Sequence, residues 1–144
     1  MSANNPIIKK QEMKANSKVE DIYRLEDEIR GVVMDFYQGD LDLMILAVHE
    51  ILVNAAEHGN QLLSEKILKV KILITREYIK VIIRDEGEGF DWCKVAMDNP
   101  GEPLDESRLT GERGRGIALT RECCDRLWYN EKGNEAYLLF KRDF

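Results

Sequence analysis

The sequence predicts a two-layer α/β sandwich of the α+β kind, with helices covering one face of a mixed or antiparallel sheet. Three observations carry that prediction. Two stretches of helical periodicity follow one another directly before residue 60. Two pairs of alternating segments, within 69–84 and 127–141, each close through a short turn and read as antiparallel hairpins. Regular β-α-β alternation is missing, which argues against a Rossmann arrangement.

In chain order, residues 7–13 read as a short edge strand. Ser17 and Glu20 have the spacing of a capping box, in which two side chains satisfy orphan amides at a helix start. Ile22, Leu25, Ile29, Val33 and Phe36 then recur at helical spacing, and Gly39 closes that helix. Asp40 is placed to cap the next helix, which stops at Gly59-Asn60. Val70, Ile72 and Ile74 alternate with Lys69, Lys71 and Thr75, and Ile79, Val81 and Ile83 with Lys80 and Arg84. Odd positions of the second strand point inward and Asp85 continues the series, so a carboxylate is aimed at the apolar side where the strand ends.

The connection from Asp85 to Arg113 is poorly periodic, with a short helix expected at 92–97. A connection of that length is functional or disordered. A glycine-rich turn, 111–116, then leads into a helix over 117–124. Segments 127–130 and 136–141 form the last hairpin, turning near Lys132-Gly133-Asn134. One domain accounts for residues 1–144.

A chain of 144 residues has room for a real core, and 44% hydrophobic with 33% charged residues describes a soluble globular protein. No run approaches the roughly 18 apolar residues of a membrane span, and the start lacks a signal peptide's apolar segment. A cytoplasmic protein without membrane association is expected. The net charge of −6 argues against direct nucleic-acid binding, which relies on a basic surface. Cys93, Cys123 and Cys124 form no CxxC pair and the chain has only two histidines, so the cysteines read as reduced packing thiols rather than zinc ligands.

Three polar stations stand out against this background. The first lies on the helical stretch 47–60, where Glu50, Asn54 and His58 are spaced to stack on one side of an otherwise oily helix. Such a line faces either a satisfied polar network or a ligand. Asn can help ligate Mg²⁺ where phosphates supply the other oxygens, and a Glu one turn earlier can act as general base toward a hydroxyl. The second is Asp85 with Gly87 and Gly89, which reads either as an acidic turn or as a buried acceptor for an adenine amino group beside glycines that let backbone approach a flat ring. The third is 111–116, opening a helix, with Arg113, Arg115 and Arg121 making it locally basic. Free amides at a helix start, glycines and arginines suit phosphate, though such a turn is also common for purely structural reasons. No GxxxxGK[ST] occurs, so it is not a P-loop.

In this order, ExxxN with HGN, then DxGxG, then glycines and arginines before a helix resemble the N, G1 and G2 boxes of the GHKL superfamily of ATPases and kinases. The resemblance spans about residues 41–144. It is nearest to the bacterial anti-sigma-factor serine kinases, through Glu50 four before Asn54, DEGEGFD followed by Trp92, and GRGIAL. It implies the Bergerat ATP-binding fold, with ATP and Mg²⁺ as cofactors. Carried onto matching positions, Asn54 holds Mg²⁺, Glu50 is the catalytic base, and Asp85 takes the adenine amino group. Gly87 and Gly89 shape the adenine pocket; Arg113, Gly114, Arg115 and Gly116 surround the phosphates, with His58 near them. Residues 91–113 correspond to an ATP lid.

The resemblance further implies a serine/threonine protein kinase that phosphorylates an anti-sigma-factor antagonist, binds a sigma factor and often forms a homodimer. A non-catalytic ATP-binding partner switch, or an ATPase domain from a larger signalling regulator, fits the same nucleotide motifs. Glu50 favours the kinase, because nucleotide binding alone does not require it. The catalytic half of a sensor histidine kinase fits less well: too few residues precede the Glu50 helix for a phosphoacceptor hairpin.

Overall fold

The inward positions of three consecutive sheet neighbours are almost wholly aliphatic, and they decide where the helices sit. The structure, a computed structural model, describes residues 5–90 and 111–142, the first four of the second stretch by backbone alone. Strands β1 (Ile7–Asn16), β2 (Ile67–Thr75), β3 (Tyr78–Arg84), β4 (Arg126–Tyr129) and β5 (Glu135–Lys141) make one antiparallel sheet in the order β1-β2-β3-β5-β4. Leu68, Val70, Ile72 and Ile74 of β2, Ile79, Val81 and Ile83 of β3, and Ala136, Leu138 and Phe140 of β5 are buried. Their alternation with polar or half-exposed residues leaves one apolar face, which the helices cover.

Helix α1 (Val19–Val33) turns Ile22, Leu25, Ile29 and Val33 inward, and its acidic first turn and basic last turn suit the helix dipole. Helix α2 (Leu41–Asn54) starts where the Asp40 carboxylate accepts a hydrogen bond from Leu43 N at 3.2 Å. It buries Met44, Ile45, Ala47, Val48, Ile51, Leu52 and Asn54, more than one stripe, because it packs against α1, the sheet and helix α3 (Gly111–Cys123) at once. At its end the chain widens into a π turn, Ala55–Gly59, in which Asn60 N donates to Ala55 O at 2.8 Å.

Several local expectations change. β1 extends to Asn16 rather than stopping at residue 13, because it pairs along the whole of β2, from Ile7 opposite Thr75 to Asn16 opposite Ile67. The capping box does not form: Lys18 is the N-cap and contributes no side-chain cap bond. Ser17 instead donates to Lys66 O at 3.0 Å and accepts from Asn60 Nδ2 at 2.8 Å, a tertiary use that outcompetes the local one. The glycine-rich segment is not a turn ahead of a helix. Helical backbone begins at Gly111, and Thr120 Oγ1 fastens that helix by bonding Gly116 O at 2.9 Å and Ala47 O at 3.3 Å. The helix expected at 92–97 and nearly all of the connection 91–113 lie outside the described residues.

Among the described residues no helix is long and apolar enough to cross a membrane. Cys123 and Cys124 are free. Burial, with Asp125 adding to it, pushes the Cys124 thiol from its ordinary value of 9.0 up to about 12, and burial raises Cys123 as well. Both stay protonated near neutral pH, in keeping with packing thiols. Cys93 lies outside the described residues.

Candidate functional site

Glycine decides how closely α3 can approach α2. A Cβ built on Gly116 would stand 2.8 Å from Glu50 Oε2 and 3.8 Å from Asn54 Nδ2, so a side chain there would displace the Glu50 carboxylate. Glycine inside a helix costs up to about 1 kcal/mol relative to Ala, and this approach is what requires it. The first and third stations therefore meet: Glu50 and Asn54 on α2 face Gly116 on α3. Glu50 is half-buried. Asn54 is buried, and its Nδ2 has no hydrogen-bond partner among the described residues. An orphaned buried amide in a packed helix carries a desolvation penalty that a bound group can relieve.

The second station meets the far end of the same helix. Asp85 is buried, its N–H donating to Asn134 O at 3.0 Å and its Oδ1 accepting from Gly87 N at 2.7 Å. A Cβ on Gly59 would come within 2.6 Å of Asp85 Oδ1, and one on Gly87 within 2.9 Å of the same oxygen. The carboxylate is thus wedged between the π turn and the β3 exit, with glycine on both sides. Gly89 has a different reason for being glycine. Its φ of 83° is left-handed, and a side chain there would strike Lys132 O in the β4–β5 turn. Phe90 N donates to that same oxygen at 3.1 Å, which docks the segment after Asp85 onto the last hairpin.

The remaining candidates are placed less centrally. The four-residue stacking stops at Asn54, because the π turn changes the helical phase, and His58 is exposed. Arg115 is exposed on α3. Arg113 and Gly114 are described by helical backbone only. Among the described residues no cluster of three or more His, Cys, Asp or Glu is placed to hold a metal ion. A groove of about 670 Å³ reaches Asp85 and Gly87, but from the sheet face opposite the helices.

Sequence reasoning gave Asn60 a place at the helix stop and in the HGN motif but no hydrogen-bonding role, and it is this side chain that ties the site together. It is fully buried. Its Nδ2 donates to Ser17 Oγ at 2.8 Å and Ile67 O at 3.2 Å, while its Oδ1 accepts from Glu86 N at 2.7 Å. One side chain joins the end of β1, the start of β2, the π turn and the residue after Asp85. No spacing rule could have found it, since these partners lie far apart in sequence. Asn60→Ala strands several of these groups at about 1–3 kcal/mol each. A loss of roughly 2 kcal/mol or more in urea unfolding is expected; a change below about 0.5 kcal/mol would show that the strap is dispensable.

A family model described as a histidine kinase-like ATPase domain matches residues 17–140. The chain is also similar to the serine-protein kinase RsbW of Oceanobacillus iheyensis. The two are 27% identical over 127 residues, covering 84% of this chain and 78% of that protein.

Proposed function

The chain belongs to the histidine kinase-like ATPase domain family, and from that premise we propose that it is an ATP-dependent serine/threonine protein kinase of the anti-sigma-factor type. The observation that carries this reading is the pairing of Glu50 with Asn54 against Gly116. A half-buried carboxylate stands one turn from a buried amide whose Nδ2 has no hydrogen-bond partner among the described residues, on a helix whose other buried residues are apolar. The similarity to a serine-protein kinase of Oceanobacillus iheyensis supports it.

The family carries ATP binding as its common chemistry. In our reading Asp85 accepts from the adenine amino group, with Gly87 and Gly89 shaping the pocket around it. Arg113, Gly114, Arg115 and Gly116 lie along the phosphates, His58 approaches them from the π turn, and residues 91–113 form the ATP lid. Asn54 suits Mg²⁺: amide oxygen and nitrogen are interchangeable assignments, and an amide oxygen is a hard ligand of the kind that ion takes. The ion, when bound, would offset phosphate charge.

Glu50 would orient the acceptor hydroxyl and take its proton during transfer of the γ-phosphoryl group. The acceptor is a Ser or Thr on an anti-sigma-factor antagonist, and the protein also holds a sigma factor as a cytoplasmic partner switch. A homodimer accords with the exposed Val19 and Tyr23 of α1 and Ile7 and Ile8 of β1.

The test is direct. The purified chain, γ-labelled ATP and Mg²⁺ are incubated with antagonist proteins encoded beside its gene. Label on one serine or threonine of one antagonist is the expected result. Saturable ATP binding with no acceptor labelled would make the protein a non-catalytic switch instead.

A further inference from the structure

The sheet face turned away from the helices has a charge opposite to that of the whole chain. Register places Lys14 opposite Lys69, Lys69 opposite Arg84, and Arg84 opposite Glu135, so three cations stand side by side across three strands. Like charges directly opposite each other destabilise a sheet. Among the described residues none of the three has an ion-pair partner. Lys71, Lys80 and Arg126 add to the same face.

Among the described residues the strands present two carboxylates there, both with partners, and Asp85 and Glu86 line the groove beyond the end of β3. Glu12 lies 3.7 Å from both Lys10 and Lys71, and Glu135 accepts from the Tyr137 hydroxyl at 2.9 Å. On a chain of net charge −6 the Lys14–Lys69–Arg84 row is thus a local excess of positive charge, bordered at one end by Glu135. The groove of about 670 Å³ runs over the cation row.

The centre of the face is apolar and half-buried, with Leu73, Ile82, Tyr137 and Trp128 between the cations. A free anion would satisfy the lysines and leave this strip uncovered. A nucleic-acid strand would need open aromatic platforms. Trp128 instead stacks on Tyr137 at 5.2 Å with 13° between planes, and the Arg126 guanidinium lies 4.7 Å from its ring centroid. Its faces are engaged within the sheet.

We infer that this outer sheet face docks an acidic protein segment that also carries apolar side chains. Its carboxylates meet the Lys14–Lys69–Arg84 row while its apolar residues cover Ile82 and Leu73. The surface lies on the sheet face opposite α2 and α3; its groove reaches Asp85 and Gly87 at one end, and the charge argument rests on the strand residues alone.

The test places a photoreactive benzoylphenylalanine at the centre of the face, Leu73→benzoylphenylalanine, in the full chain in its native cell. Adducts are identified by mass spectrometry in the parent and in Lys69→Glu/Arg84→Glu. The expected adducts map to net-acidic segments of another protein and fall at least tenfold in the double variant, whose melting temperature stays within a few degrees of the parent's. The retained melting temperature shows that the variant is folded. Adducts to nucleic acid, to a second copy of this chain or to non-acidic segments would overturn the inference. So would an absence of adducts, or adducts indifferent to the charge reversal.

Discussion

Glu50→Gln is expected to bind ATP as the parent does and to transfer phosphate at least about 100-fold more slowly, since general-base catalysis contributes roughly 10²–10⁴. The substitution keeps the side chain's volume, so the close approach of Gly116 to Oε2 survives and the α2–α3 packing is undisturbed. What disappears is the ability to take a proton. Affinity measured by calorimetry and transfer measured in a single turnover separate the two effects: a fall in the rate of the chemical step with unchanged ATP affinity is the signature of a group used only in the transition state. Undiminished transfer would place the base elsewhere and leave Glu50 a packing neighbour of Gly116. Weakened ATP binding at a preserved rate would instead make it part of the nucleotide's own contacts.

Features governed by a short period were legible in the sequence; those governed by long-range contact were not. The parity of Ile79, Val81 and Ile83 sets the inward direction of Asp85, because a strand's side-chain period is 2 and a slip would turn the whole set outward. Helical spacing likewise put Glu50 and Asn54 on one side of α2. The π turn was hidden, since the run through His58 and Gly59 keeps helical character and nothing local shows the ladder widening from Ala55 to Asn60. Ser17 departs from its local pattern for a related reason. Its spacing to Glu20 satisfies a local rule, but Asn60, buried beside it, offers a stronger partner. The cation row is invisible in the sequence as well, since only the register of three strands sets Lys14, Lys69 and Arg84 abreast.

Asp85→Asn is expected to weaken ATP binding by roughly 10- to 100-fold, the range of about 1.5–3 kcal/mol attached to a hydrogen bond with a charged partner. The exchange is nearly isosteric and the amide oxygen can still accept from Gly87 N, a bond of 2.7 Å in the parent. The other oxygen becomes an NH₂ that points a donor where the adenine reading needs an acceptor. Loss of affinity alone would not separate recognition from architecture, because the carboxylate is also wedged between Gly59 and Gly87. The ratio of ATP to GTP affinity does separate them. Adenine presents an amino group where guanine presents a carbonyl, so an acceptor at Asp85 rejects GTP and a donor at the same place tolerates it. The parent's preference for ATP should therefore shrink at least tenfold in the variant, with a melting temperature within a few degrees of the parent's. Equal losses for both nucleotides, accompanied by a lowered melting temperature, would make Asp85 the wedge that holds the π turn to the sheet and move adenine recognition to another residue.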